Sequence, residues 1–367
     1  MSKKIIYVID STDFHGVDWY RTVKEICGDR IEVMIATDIV ASNKSDNIIN
    51  DDDRVLKLFL IQKYLIKKKT LFSNLFRNLI KLMALPIQVL QLRSLNKKFP
   101  NAIFHAHSMY YIFLCWAARI KAVATPMGSD VLVRPDESKI YRFFTRLSLN
   151  YADKITVDSK KLVEKIIDLT GRKSFLIQNG INTSEILSYK NKKFERKNIS
   201  SIRGFYPNYQ INEIVEARNL ATKKIPINFI YPFYELKYLQ RVRNKFILDD
   251  NDFGRLTKED LYKNLYMTQL AISIPVSDSS PRTVYEAIFC GCVVAVTNLD
   301  WTNSLTTCMK KRIIKINFED RNWFTNAIEK ARLILKEEYI PSQQAINKFD
   351  EYISMKNLCK NIYKVKF

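Results

Sequence analysis

Two carboxylates, Asp278 and Glu286, are separated by seven residues in SDSSPRTVYEAIFCGCVVAV (277–296), a stretch that bends at Ser-Ser-Pro. In a chain with only 8 glycines, Gly291 then precedes five apolar residues. A strand entering this bend and a helix leaving it would put both acids at the mouth of a strand–helix–strand unit. Pro281 suits the first turn of a helix, and the unpaired amides near Thr283 and Val284 would form an anion-binding end. Gly291 allows the helix to stop and the chain to turn into the next strand. Taken singly, Asp278 reads equally well as a loop or capping carboxylate, and Glu286 as an ordinary mid-helix acid.

The elements that must position these groups are legible as short apolar runs alternating with helical patterns. Strands are expected at 4–9, 31–36, 102–107, 121–126, 154–158 and 175–179, then at 199–205, 227–233, 270–276, 292–297 and 312–317. A helix over 257–266 opens with Thr257 and Asp260 in capping-box spacing. Strand–helix alternation points to parallel, doubly wound sheets. The charged KNKKFERKN (190–198) reads as a connector, giving domains at 1–190 and 199–340 and a closing helical region at 341–367.

Ligands of such sheets sit beyond the carboxyl ends of the strands, so the loops there are the informative ones. DSTDFHGVDWYR holds His15, Gly16 and Arg21; TPMGSDVLVRP holds Gly128, Ser129 and Asp130; NGIN holds Asn179 and Gly180; Arg203 and Gly204 follow the first strand of the second domain. His105 and His107 are one strand period apart and share a face. They read equally as acceptor-side groups or as strand-end hydrogen-bonding residues. No third ligand accompanies them, so no metal site is expected. Asp130 could act at a site, cap a helix starting near 137, or bond to its own loop.

The 367 residues are 47% hydrophobic and carry a net charge of +21, which calls for an anionic partner. The six cysteines lack metal-ligand spacing and the first residues run directly into a strand, so a cytoplasmic location is expected. The apolar stretch MYYIFLCWAA (109–118) is about half a bilayer span. Residues 54–99 carry 11 Lys or Arg and no acid. Within TLFSNLFRNLIKLMALP, Phe72, Leu75, Phe76, Leu79 and Met83 follow helical spacing, with Ser73, Arg77 and Lys81 opposite. Such a basic amphipathic helix is either a core-packed surface helix or a peripheral contact with an anionic membrane surface. Nucleic acid is not expected as a partner, since no recognition signature accompanies the charge.

In this order the loops resemble the retaining glycosyltransferases of family 4, which have the GT-B fold: two Rossmann-like doubly wound α/β domains facing across a cleft. FHAHS (104–108), TPMGSDV, IQNGIN, SIRGFYPNYQINEIVEA (201–217) and SDSSPRTVYEAIFCG carry the resemblance, over most of the chain. It implies no metal or other cofactor and a nucleotide diphosphate-sugar as donor. It implies that Glu286 binds ribose hydroxyls, Asp278 the donor sugar and Arg203 the diphosphate. Asn179, Gly180, Pro281, Arg282, Thr283 and Val284 complete the donor side; Gly16, Arg21, His105, His107, Gly128 and Ser129 lie on the acceptor side, and Asp130 joins Asp278 and Arg203 as catalytic.

Two positions depart from the family pattern. A lysine usual about five residues after the arginine is missing, where Asn208, Tyr209 and Gln210 stand, with Lys237, Arg241 or Arg243 as substitutes; Met127 replaces a histidine usual before the loop glycine. The implied reaction is sugar transfer to an acceptor hydroxyl with retention, the diphosphate itself receiving the acceptor proton. A lipid-linked or lipopolysaccharide or capsule glycan is the expected acceptor. An inactive homologue serving as a membrane scaffold and a nucleotide-sugar epimerase are the alternatives.

Overall fold

The computed structural model describes residues 3–38, 53–59, 71–190 and 194–366, with the backbone alone over 71–79. The chain divides into two compact units, one running to Gln178 and resuming at Tyr352, the other spanning Asn179–Glu351.

The first unit begins with β1 (Lys4–Val8), α1 (Phe14–Cys27), β2 (Glu32–Thr37), β3 (Val55–Lys57), α2 (Leu71–Lys98), β4 (Ile103–His107), α3 (Met109–Ala117) and β5 (Val123–Thr125). It continues through α4 (Gly128–Leu132), α5 (Arg134–Glu137), α6 (Lys139–Tyr151), β6 (Lys154–Val157), α7 (Lys160–Thr170) and β7 (Phe175–Leu176). The strands form a seven-stranded sheet in the order β3-β2-β1-β4-β5-β6-β7, and every pair is parallel. Side chains of β1 alternate between two cores. Ile6 and Val8 join residues of α3 and α7 on one face, while Ile5 and Tyr7 join α1 on the other. Burial on both faces explains why the strand reads as a continuous apolar run.

The second unit contains α8 (Thr183–Ser188), β8 (Asn198–Ser201), α9 (Ile211–Leu220), β9 (Ile227–Ile230), α10 (Leu236–Arg243), β10 (Asn251–Gly254), α11 (Lys258–Tyr266) and β11 (Thr268–Ser273). It ends with α12 (Arg282–Phe289), β12 (Val293–Val296), α13 (Thr307–Lys310), β13 (Ile313–Lys315), α14 (Trp323–Ile334) and α15 (Gln343–Phe349). Its parallel sheet has the order β10-β9-β8-β11-β12-β13. Leu270 and Ile272 face one core, and Ala271 faces the other beside Val284 and Ile288 of α12. A last helix, α16 (Glu351–Asn361), sends Met355 and Leu358 into the first unit's core. Each such fully buried aliphatic side chain stabilises by roughly 1.5–3 kcal/mol.

All eleven expected strands are present, most of them shorter than the apolar runs that announce them. Two more, β3 and β10, are edge strands that were not expected; β3 lies in the apolar VLKLFL (55–60), whereas β10 reads Asn-Asp-Phe-Gly. The unit boundary lies at 178/179, not at 190, and the closing region divides at 351/352. The physical reason is local pairing. Ile181 donates its amide to Phe349 and accepts one from Glu351, and Ile186 joins the second core. The stretch 179–190 is thus tied to the second unit before the charged connector begins.

Candidate active site

Both sheets reverse strand order about a central pair, β1/β4 in the first unit and β8/β11 in the second. Such a reversal opens a crevice at the carboxyl ends of the strands.

In the second unit, Arg203 leaves β8 and Asp278 lies in the loop after β11. The guanidinium donates from Nη2 to Asp278 Oδ2, joining the two sides of the crevice. The side chains are only 11% and 14% exposed. The other oxygen, Oδ1, accepts the amides of Ser279 at 2.8 Å and Ser280 at 3.3 Å, so Asp278 also shapes the bend. Tyr209 lies under the guanidinium, 4.6 Å from ring centre to carbon. Where the resemblance leads one to expect a lysine, Asn208 staples the loop instead. Its carbonyl accepts from Val276 at 2.8 Å, its side-chain oxygen from Ser277 at 3.2 Å, and its amide donates to the Ser277 carbonyl at 3.0 Å. Among the described residues, none of Lys237, Arg241 and Arg243 is paired with Asp278. Arg243 is bound to Asp252 and Tyr231.

Pro281 is the N-cap of α12, one residue earlier than expected, and its carbonyl accepts from Val284 at 3.0 Å and Tyr285 at 3.2 Å. The Val284 amide is therefore spent within the helix, a correction to its expected anion-binding role, while the Thr283 amide has no acceptor among the described residues. Arg282 donates to Glu351 at 3.1 Å. Gly180 packs against the same segment: a Cβ there would lie 2.5 Å from the Glu351 Cα, so glycine is required for that close approach. Asn179 beside it is buried. Gly291 has φ of +86° and takes α12 into β12, as the sequence leads one to expect.

Glu286 is 2% exposed on α12. Its Oε1 accepts from Lys258 and, at 3.3 Å, from the buried hydroxyl of Tyr262. Burial and the Glu286 charge push the Tyr262 hydroxyl far above its ordinary range, which keeps it a donor. Oε2 has no hydrogen-bond partner among the described residues. The expected α11 cap is present, Thr257 accepting the Asp260 amide at 3.1 Å. It missed Lys258 and Tyr262, whose four-residue spacing on that helix puts them on one face.

In the first unit, His107 ends β4 and is 4% exposed. Its ring stacks on Trp19, centroids 5.6 Å apart, and Nδ1 lies 3.8 Å from Asp13 Oδ2 without a hydrogen bond. Burial drives its pKa down to about 4, so it is neutral at neutral pH. A Cβ on Gly16 would come within 2.7 Å of Nδ1; only glycine lets α1 pass so close. Ser108, next in the chain, sits at φ 75° and ψ 155°, a region strained for any residue but glycine. Arg21 lies on the second turn of α1, partly buried.

Two expectations for this unit need correction. His105 shares a face with His107, their rings 6.5 Å apart, but it is fully buried. Nδ1 is bonded to the Tyr363 hydroxyl and Nε2 to Thr125 at 2.6 Å, so its bonding is internal, not acceptor-side. Asp130 has no oxygen to spare for catalysis. Oδ2 accepts the amides of Met109 at 3.0 Å and Met127 at 3.2 Å, and Oδ1 accepts from Arg134 at 3.0 Å and Tyr141 at 3.3 Å. It caps α3 and α4, whereas α6 is capped by Ser138. Gly128 and Ser129 form the first turn of α4.

A group that the sequence reading passed over lies at the ends of β1 and β2. Asp38 is completely buried, accepting from Tyr111 at 2.5 Å and from Gln88 at 3.1 Å, and Gln88 in turn accepts from Tyr110 at 2.6 Å. Burial raises the pKa of Asp38 and of Asp10. Asp38 directly follows β2 and Asp10 lies two residues beyond β1, positions of the kind that face a ligand in such sheets.

No group of acids, histidines or cysteines among the described residues could hold a metal ion. No described helix is long and apolar enough to cross a membrane. The Phe72, Leu75, Phe76, Leu79, Ser73 and Arg77 side chains and residues 60–70 lie outside the described set. Met83, expected on the buried stripe, is 70% exposed.

Residues 4–159 match the family described as glycosyl transferase 4-like. No curated protein matches the sequence. Among solved structures, sucrose-phosphate synthase from Thermosynechococcus elongatus is similar with a TM-score of 0.73 at 14% identity, over 99% of this chain and 100% of that one. Anabaena HepE, in complex with UDP and glucose, gives 0.69 at 13% over 99% and 100%. The E. coli trehalose-6-phosphate protein, bound with UDP-2-fluoro glucose, gives 0.67 at 11% over 99% and 99%. The likeness establishes the fold: two Rossmann-like parallel-sheet domains of the GT-B kind.

Proposed function

We propose that this glycosyl transferase 4-like chain moves a sugar from a nucleotide diphosphate-sugar to an acceptor hydroxyl, with retention at the anomeric carbon and without a metal. The observation that carries the reading is the Arg203–Asp278 pair spanning the β8/β11 crevice beside the start of α12. A diphosphate arriving there exchanges one anionic partner of Arg203 for another and gains the open Thr283 amide. The exchange frees Asp278 for sugar hydroxyls. Glu286, one turn into α12, offers Oε2 to a ribose diol while Lys258 and Tyr262 hold Oε1. The diphosphate, held by Arg203, takes up charge as it departs and receives the acceptor proton, so no dedicated base is needed.

The acceptor in this reading is a lipid-linked or surface glycan met at an anionic cytoplasmic membrane surface through residues 54–99. The outward face of α2 supports it: Leu82, Met83, Ile87 and Leu90 are exposed, followed by exposed Arg93, Lys97 and Lys98. HepE, crystallised with UDP-glucose, supports a nucleotide-sugar donor.

Thermal unfolding with uridine, guanosine and cytidine diphosphates tests the donor site. At least one should raise Tm by several degrees, and its sugar conjugate should then support transfer with the donor's anomeric configuration in the product. No response to any nucleotide would defeat the reading in favour of an inactive scaffold. The prior pairing of both acids inside the protein is the observation that favours that second reading.

A further inference from the structure

The face of α2 ends against α3, and on the far side of α3 lies a second apolar surface. Lys81 of α2 sits 4.3 Å over the Tyr110 ring at the start of α3, and Arg93 donates to the Ala117 carbonyl at its end at 3.1 Å. The two helices therefore run side by side in the same direction. α3 also carries Phe113 and Trp116, whose rings lie 5.4 Å and 6.4 Å from that of Phe144 on α6. On α6 itself Ile140 is 72% exposed and Phe143 is 61% exposed. Neither is an expected surface residue on a helix whose opposite face buries Thr145, Ser148 and Leu149.

The sequence of these helices is strongly basic. From Arg54 to Ser129 the sequence contains 13 Lys or Arg and no acid, and α6 carries Lys139, Arg142 and Arg146 without an acid. Of the acids beside α6, Asp130 is buried and bound to Arg134 and Tyr141, and Asp136 of α5 is bound to Lys165 at 3.0 Å.

We infer that α6, with the Phe113–Trp116 edge of α3, is a second membrane-docking surface, continuous with α2 and fitted to an anionic bilayer. The choice of occupant rests on charge complementarity. Apolar side chains that enter the acyl boundary and cations that remain among headgroups are what an interfacial helix supplies, and aromatic rings are favoured at that depth. The inference extends the membrane part of the proposed function and is independent of the donor site.

The test is co-sedimentation of the full chain with vesicles of phosphatidylcholine alone and of phosphatidylcholine with roughly three-tenths phosphatidylglycerol. The wild type should bind the anionic vesicles at least tenfold more tightly, about one decade in affinity, and be released as salt rises. The I140S/F143S and R142E/R146E variants should each lose about tenfold in vesicle affinity while keeping the wild-type Tm and nucleotide response. Equal binding to both vesicle types, or unchanged binding by both variants, overturns the inference. A concentration-dependent dimer that I140S/F143S dissociates, with no vesicle affinity, overturns it in favour of a second copy on this face. Loss of nucleotide response in the wild type is a failure of the donor-site reading and leaves the vesicle result intact.

Discussion

The two units solve the same geometric problem with opposite chemistry. Each reverses strand order at its centre and leaves loops at the carboxyl ends of the middle strands. At β8/β11 the opening is bridged by charge, Arg203 with Asp278, and backed by a carboxylate held by Lys258. At β1/β4 it is lined by a neutral histidine stacked on Trp19, with Gly16 pressed against it. Asp130, a buried acid that the sequence offers in this unit, is consumed by helix caps. One topology thus carries a charged crevice in one unit and an uncharged one in the other. The contrast with Arg218 and Asp250 is also instructive. That pair is bidentate at 2.6 and 2.8 Å and wholly buried, a structural tie that no ligand can reach.

If charge is what distinguishes the second crevice, its removal should be the largest effect. Arg203→Ala should lower kcat/KM for transfer by roughly 10²–10³, with Tm near wild type. Glu286→Ala should follow, raising the donor KM by about thirtyfold, as expected for a buried carboxylate in a ligand contact. Lys258→Met keeps Glu286 in place without its cation, so a smaller rise of about fivefold in KM with little change in kcat is expected. A change confined to Tm would make Lys258 purely structural.

The first crevice makes different predictions. Asp130→Asn should lower stability by about 1–3 kcal/mol through weakened caps and leave kcat intact, which steady-state assays on the folded fraction can establish. His107 has a folded pKa of about 4 against an ordinary value near 6.5, so the unfolded chain binds more protons between those limits. Stability should therefore be complete above about pH 6.5 and fall as pH drops towards 4, by as much as about 3 kcal/mol from this group. The fully buried His105, also shifted down, adds to the same slope. Thermal melts across pH 4–7 check this, and His107→Gln should flatten part of the slope.

The sheets were readable because their strands are buried on both faces and stand out as apolar runs; Ile5 through Val8 feed two cores at once. β10 was not readable, because an edge strand of Asn-Asp-Phe-Gly has neither alternation nor an apolar run. For the site, residue types after strands located Arg203, Asp278 and Glu286. They did not reveal that Asp278 and Arg203 bind each other, since 75 residues separate them and only the sheet order brings them together. The same limit explains Asp130 and His105. A sequence marks a polar residue near a strand end but not whether the fold has already filled its hydrogen bonds, as Tyr363 does for His105 from the far end of the chain.

The central claim is that Arg203 trades Asp278 for a diphosphate. Titration calorimetry of the responsive nucleoside diphosphate against wild type, Asp278→Asn and Arg203→Ala addresses it directly. Asp278→Asn keeps the Ser279 and Ser280 bonds but removes the competing charge, so it should bind the diphosphate a few-fold more tightly than wild type, while Arg203→Ala should bind at least about thirtyfold more weakly. Unchanged affinity in both variants would contradict the account.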